Sequence, residues 1–416
     1  MKPQRQNVSK GGLTISRRVT RSMTTFDRNS LTLPVEVVTE IFLRLPLKSI
    51  ARCRCVCKLW SSILRSQDFT ESFLTRSTAC PRLMFAFQVH SEVVLFSSPQ
   101  LSNPEENSYV YVVATKHLAL SPYFSRNYVC STNGFFCDKT YVILKEEKYP
   151  GFAPVIRNPN TGQSLTLPIL ISKKRYGVQS YIGYDLSYLG YEPIAKEFKV
   201  LSMIKSRVSD EWISVDHQVL TLGTKNLSWR LVECCIPHYF SDKWICISGV
   251  LYYAAKVNGM SRYSMVACFD LKSEKFSFVK LMETFNRVME VSTTMVNYNG
   301  KLGLLLSRDD SVDVTRASTS FELWVLRDAA KHVWSKHVYM LPALWKDVVE
   351  ERMVIAGMVG TNVIVLSPWW PKGPAYVIYY NVERKTITKV GIQGMEAYQR
   401  KSFHICLNYV ENVEIL

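Results

Sequence analysis

Three cysteines, Cys53, Cys55 and Cys57, crowd the stretch ARCRCVCKLW at residues 51–60. Thiols this close suggest a metal site or a redox centre. Structural zinc, however, needs four ligands in a tetrahedron, supplied as Cys pairs or Cys and His combinations. At i, i+2 and i+4 on a helix, Cys53 and Cys57 share a side and Cys55 points elsewhere. No histidine lies within 30 residues; the nearest is His90. The spacing favours packing. Cys234 and Cys235 with His238 form a second cluster. Neighbouring strand residues face opposite sides, so both sulfurs would not meet one ion, and core or turn packing is again expected. His332 and His337 flank a strand turn without a carboxylate pair and read as surface residues. Asp309, Asp310 and Asp313 form an acidic loop that lacks the EF-hand spacing and its terminal Glu. The chain carries no GxxxxGK[ST], HExxH or GxSxG. No catalytic residue, metal ligand or cofactor is assigned. Trp369 and Trp370 sit between prolines in SPWWPKGP, a loop or an edge strand. Exposed, the pair is a binding anchor; buried, it closes a sheet.

The elements that must position these residues are of two kinds. The chain has 416 residues, room for two or three domains, or for one small domain beside a large one. No apolar run reaches the roughly 18 residues of a membrane span, and the N-terminus lacks a signal-like segment. A soluble, non-secreted protein is expected, in the nucleus or cytoplasm. Eleven scattered cysteines then read as reduced, mostly buried thiols. The net charge of +16 is uneven. Residues 1–30 carry seven Lys/Arg against Asp27, or +6; residues 31–76 carry seven against four, or +3; the remaining +7 is spread over the rest. A dedicated nucleic-acid reader more often concentrates its charge on one element. Residues 1–30 have no apolar period and read as a disordered basic tail, with SRRVTR at 16–21 a candidate nuclear address.

Residues 31–76 read as three short helices. In LTLPVEVVTEIFLRLP, the residues Val37, Val38, Ile41, Phe42 and Leu45 keep helical spacing, Pro34 suits a first turn, and Pro46 ends the helix. A short turn LKSIARC follows, and then CVCKLWSSILRS, with Cys53, Val56, Trp60 and Ile63 on one face. A unit this small has a marginal core and leans on a partner.

Beyond residue 80 the helical period vanishes. A strand–polar turn–strand phrase recurs as VIRNPNTGQSLTLP, VLTLGTKNLSWRLVE, VACFDLKSEKFSFVKL, LWVLRDAAKHVWSKHVYML and VIYYNVERKTITKVGI. Its turn centres near 160, 224, 272, 329 and 383 are 64, 48, 57 and 54 residues apart. A second phrase, Gly or Asn followed by an apolar strand, precedes several of these: STNGFFCD, ISGVLYYA, YNGKLGLLL and GTNVIVLS. Such a repeat is the signature of β-propeller blades, and about six to eight would fit. A single β-sandwich is the competing architecture. The expected fold is therefore α+β and multidomain, a three-helix unit followed by a large all-β domain.

The segment LPVEVVTEIFLRLPLKSIARCRCVCKLWSSILRSQDF, residues 33–69, resembles the F-box. The family's elements occur in order: Leu33-Pro34, Ile41, Leu45-Pro46, Lys48-Ser49 and Arg54-Cys55-Val56-Cys57-Lys58 with Trp60. Cys53 departs from the plant version, which commonly has an aromatic residue there. Phrases from VIRNPNTGQSLTLP to NYNGKLGLL resemble the plant F-box-associated domain of type 3, a kelch- or propeller-like unit. The resemblance implies a tail over 1–30, an F-box over 31–76 and an F-box-associated domain over 80–410. It also implies a non-catalytic substrate receptor of a Skp–cullin–F-box ubiquitin ligase. The F-box would dock a Skp-type adaptor, and through it the cullin and RING subunits, while the β domain holds a protein target. Leu33, Pro34, Val37, Ile41, Leu45, Pro46 and Leu47 are the implied first contacts. Val56, Cys57, Trp60 and Ile63 form or support the rest of that surface. Two competing readings are an enzyme seated in a propeller channel and a basic nucleic-acid-associated protein.

Overall fold

The computed structural model describes residues 33–89, 92–102, 104, 110–120, 131–142, 151–170, 183–208, 211–257, 265–281, 293–308 and 314–414. The tail 1–30, the acidic loop at 309–313 and the expected capping residue Thr32 lie outside these. Among the described residues, no helix is long and apolar enough to cross a membrane.

Four helices come first: α1 Val35–Leu43, α2 Leu47–Cys53, α3 Lys58–Arg65 and α4 Gln67–Ala79. Pro34 and Pro46 stand immediately before α1 and α2. Proline is tolerated there because the first N–H groups of a helix have no intrahelical acceptor. The continuous helix expected through CVCKLWSSILRS is not formed. α2 ends at Cys53, residues 54–56 turn, and Cys57 caps α3 by accepting the Trp60 N–H on its sulfur at 3.5 Å. α4 was not legible, because only Phe69 and Phe73 of its thirteen residues are buried, too sparse a stripe to read as periodic. Ser66 Oγ caps it by accepting the Phe69 N–H at 3.2 Å.

The β region forms six antiparallel sheets, a six-bladed propeller. From the innermost strand outwards, blade 1 is Phe403–Tyr409, Arg82–Val89, Glu92–Pro99 and Thr115–Leu120. Blade 2 is Ser131–Thr132, Phe135–Val142, Gly151–Arg157 and Ser164–Thr166; blade 3 is Gly183–Glu192, Glu197–Val208, Glu211–Thr221 and Arg230–Val232. Blade 4 is His238–Ile247, Val250–Val257, Met265–Asp270 and Lys275–Lys280; blade 5 is Thr294–Tyr298, Lys301–Ser307, Ser320–Asp328 and Val333–Met340. Blade 6 is Met353–Val359, Val363–Pro368, Tyr376–Asn381 and Thr386–Gln393, with Val110–Val113 added in parallel at its outer edge. The six innermost strands neighbour one another in a closed ring.

Both recurring phrases are now explained. The Gly/Asn phrase is the hairpin between a blade's first and second strands. Asn133-Gly134, Ser248-Gly249 and Asn299-Gly300 all hold positive φ at both positions, the backbone that two-residue hairpin turns require. The longer phrase is the hairpin between third and fourth strands in blades 2 to 6. In blades 2, 4, 5 and 6 the turn is set by a side chain that accepts backbone N–H groups just downstream. Asn158 accepts from Asn160 and Thr161, Asp270 from Ser273, Asp328 from Lys331, and Asn381 from Glu383 and Arg384.

Blade 1 is closed by the C-terminal end of the chain. Asn408 and Gln100 clasp across it, the Gln100 amide donating to Asn408 Oδ1 at 2.7 Å and the Asn408 N–H to Gln100 Oε1 at 2.8 Å. The Tyr409 ring is buried on Phe136 of blade 2, centroids 5.9 Å apart. The residues after Tyr409 then tie the propeller to the helices. Val413 is buried in the helical core with Phe42, Ile50, Ile63, Leu64, Phe69 and Phe73. Arg54 donates to the Leu64 carbonyl at 3.1 Å and to the Val413 carbonyl at 2.6 Å. Asn158 donates to the Asn412 and Glu414 carbonyls, and Asn412 to that of Asn133.

Candidate functional site

The apolar stripe of α1 is two stripes. Val38, Phe42 and Leu45 face the helical core, where the Phe42 and Trp60 rings meet edge to face at 5.1 Å. Val37 and Ile41 face solvent. Around them Leu33 is 57% exposed, Val56 62% and Leu59 54%, and Val35 is exposed too. Pro34, Pro46 and Cys57 are also exposed, whereas Leu45, Leu47 and Trp60 are half-buried. Ile63 is buried beside Leu64 and Val413, so it shapes the unit from inside and cannot reach a partner. Val35 and Leu59 were not singled out from the sequence. They lie outside the i, i+4 stripe of α1, Val35 at its first position and Leu59 on α3. Cys55 and Cys57 are exposed and Cys53 half-buried, none within a metal-ligand group among the described residues.

Propeller topology separates the connections. First-to-second and third-to-fourth strand turns lie on one face; second-to-third turns and the blade-to-blade crossings lie on the other. The helical unit sits on the first, hairpin face. Arg82 enters blade 1 there, and Lys196, in a hairpin of blade 3, pairs with Glu71 of α4 at 2.8 Å. Among the described residues, the opposite face receives the connection 369–375 within blade 6 and the crossings 341–352 and 394–402 between blades. Trp369 and Trp370 project there, 50% and 58% exposed, with exposed Met340 at the end of blade 5 and exposed Leu344 on the crossing that follows it. The pair is thus solvent-facing and does not close the blade.

The Cys234–His238 cluster lies on the blade 3 to blade 4 crossing. Cys235 is exposed on the crossing, whereas Cys234 is half-buried. A residue the sequence did not point to completes the group: His217, on the third strand of blade 3. Its ring stacks on His238 at 5.3 Å. Both imidazoles are buried. Burial holds His238 below the usual histidine range, and burial with the neighbouring His238 takes His217 down to about 3, so both are neutral. Burial pushes the Cys234 thiol up to about 11. His337, expected at the surface, is half-buried, its Nε2 without a hydrogen-bond partner and its ring 6.0 Å from Tyr298. His332 is exposed.

Two families match the chain: the F-box domain over residues 30–72 and the F-box associated beta propeller domain over residues 82–410. The chain belongs to the plant F-box proteins that carry this propeller. Among curated proteins it is 46% identical to the F-box protein DOR of Arabidopsis thaliana, over all of both chains. It is likewise 46% identical to the Arabidopsis thaliana putative F-box protein At3g23960, over 99% of each. Among solved structures, the WD40 domain of SCAP from fission yeast is 10% identical with a TM-score of 0.28, over 73% of this chain and 72% of that one. An F-box joined to such a propeller is, in general, the organisation of a substrate-recognition component of a Skp–cullin–F-box ligase. Both families are those of typically non-catalytic adaptors, and no enzyme family is indicated.

Proposed function

We propose that this chain binds a Skp-type adaptor through its helical unit and a protein target through the loop face of its propeller. Through the adaptor it joins the cullin and RING subunits, and it acts in the nucleus or cytoplasm. The observation that carries this reading is the exposed apolar set Leu33, Val35, Val37, Ile41, Val56 and Leu59 on one small helical unit. Side chains of this kind gain about 1.5–3 kcal/mol each when fully buried, so a unit that leaves six of them in water is completed by a partner. The target side is supported by geometry. The helices occupy the hairpin face, and the exposed Trp369–Trp370 pair lies on the opposite one. Tryptophan is favoured at interface hot spots because one rigid ring buries a large area.

Co-purification with a Skp-type adaptor tests the first half. Wild type should be retained. Replacing Leu33 and Pro34 by Ala should abolish retention, and Ile41→Glu should cost about 2 kcal/mol or more, a ~30-fold rise in Kd. Failure of the wild-type chain to bind any such adaptor overturns the reading. Affinity capture with the helical unit deleted identifies the target, and imaging of the tagged chain checks the location.

A further inference from the structure

His217, Cys234 and His238 each bring one ligand atom within 4.8 Å of the others, at the junction of blades 3 and 4 on the loop face. Cys234 Sγ lies 3.9 Å from His238 Nδ1. The Ile236 carbonyl oxygen lies 3.3 Å from that sulfur and 2.8 Å from that nitrogen. With Zn–S about 2.3 Å and Zn–N about 2.0–2.1 Å, the sulfur-to-nitrogen edge of a zinc tetrahedron is about 3.6 Å. The pair therefore stands a few tenths of an ångström from ligand spacing, and a second imidazole is stacked beside it.

We propose that this cluster is a zinc site, with Cys234 Sγ, His238 Nδ1 and one imidazole nitrogen of His217 as protein ligands. A water takes the fourth position, beside the Ile236 carbonyl. Imidazole with thiolate is a donor set suited to Zn²⁺. Binding releases the Cys234 thiol proton to solvent. His238 binds as the Nε2–H tautomer, and that N–H donates to the Tyr253 hydroxyl oxygen 2.7 Å away. Such an outer partner fixes ring orientation in zinc sites. Without metal, the other tautomer is satisfied instead: Nδ1–H donates to the Ile236 carbonyl and Nε2 accepts from Tyr253. Either state leaves the ring paired, so the site can exchange its ion without unfolding the blade. The consequence is mechanical. One ion joins the third strand of blade 3 to the first strand of blade 4 at the loop face. At the hairpin face the same two blades are already joined, Lys199 of blade 3 pairing with Glu274 of blade 4 at 2.8 Å. The sequence argued against a metal here because it offered two adjacent cysteines and one histidine. The fold supplies His217 from the neighbouring strand.

The site does not depend on what the propeller binds, so its test is separate from that of the adaptor reading. The full-length chain, bound to its adaptor or alone, is purified under reducing conditions, exposed to zinc and desalted. Elemental analysis should find about one zinc per chain, and cobalt should give the visible d–d bands of a tetrahedral thiolate site. Cys234→Ser, His217→Gln and His238→Gln should each lose the ion and the bands. Tyr253→Phe should weaken affinity roughly 10–100-fold. Cys235→Ser should change nothing. Zinc should raise the melting temperature of wild type and of Cys235→Ser but not of Cys234→Ser, provided the metal-free proteins melt alike; this separates ligand loss from misfolding. A wild-type chain that retains no zinc and gives no cobalt bands overturns the proposal. So does equal loss in Cys234→Ser and Cys235→Ser.

Discussion

In blade 4, Leu251, Tyr253, Ala254, Ala255, Val266, Ala267 and Phe269 are closed to solvent, whereas the far smaller helical unit leaves Leu33, Val35, Val37, Ile41, Val56 and Leu59 in water. The contrast follows from geometry. A blade is flanked by a blade on each side, so both faces of its sheet bury apolar residues, and the ring leaves no blade without neighbours. Four short helices enclose one small cluster, and the outer faces of α1 and α3 have nothing to pack on. The propeller closes on itself as a ring of blades, and under the proposed function recognition falls to its connections. The helical unit leaves an apolar face open to solvent, and the proposed adaptor would cover it.

Breaking the closure should produce the largest effect. Ending the chain at Ser402 removes the innermost strand of blade 1, the Asn408–Gln100 clasp and Val413 together. The ring then has an open edge, and cooperative thermal unfolding should be lost altogether, as read by circular dichroism and limited proteolysis. A truncated chain that melts as sharply as wild type would show that closure is not what holds the blades.

Leu64→Ala should come next, costing about 2–5 kcal/mol in the helical unit because the side chain is fully buried. Hydrogen exchange should quicken in α1 to α4 and stay unchanged in the inner strands of blades 3 to 5. Val413→Ala should act on the same helices at a smaller cost, roughly 2 kcal/mol for two buried methyl groups with their cavity. A change at the C-terminal end that loosens the N-terminal helices is the specific signature of the strap. If Val413→Ala instead loosens only blade 1, the two modules are not coupled in this way.

The propeller was legible because its hairpins are written locally. Asn133-Gly134 and Asp270 with its following turn specify bends within a few residues, and five such units at irregular spacing announce blades. Blade 1 was not legible. Its first strand comes from residues 403–409, and between its third and fourth strands the chain detours to add Val110–Val113 to blade 6. On the helical unit, the resemblance located Leu33, Val37 and Ile41, which are exposed as a docking surface requires. It also included Ile63, which is inside. Helical spacing shows which residues share a side, not which of two apolar sides faces the core, and the core side here is completed by Val413 from the far end of the chain. His217 was missed for the same reason: it meets Cys234 and His238 only through the packing of blade 3 on blade 4.

The smallest expected effect concerns the charged link between those blades. Lys199 of blade 3 donates to Glu274 Oε1 and to the Leu271 carbonyl, both at 2.8 Å, and Arg230 also reaches Glu274. Burial by itself raises the Glu274 carboxyl, but the two cations outweigh it and hold the group below the usual carboxylate range. A carboxyl depressed by folding stabilises the native state fully above its unfolded value, and that stabilisation disappears as pH falls through the folded value. Melting temperature should therefore drop on acidification below the ordinary Glu range, and Glu274→Gln should flatten that limb while lowering stability near neutrality. Because the link lies within the propeller, hydrogen exchange in α1 to α3 should not respond. An acid limb unchanged in Glu274→Gln would place its origin elsewhere, and faster exchange in α1 to α3 would mean that the closed ring and the unfinished helices share strain that their contacts do not show.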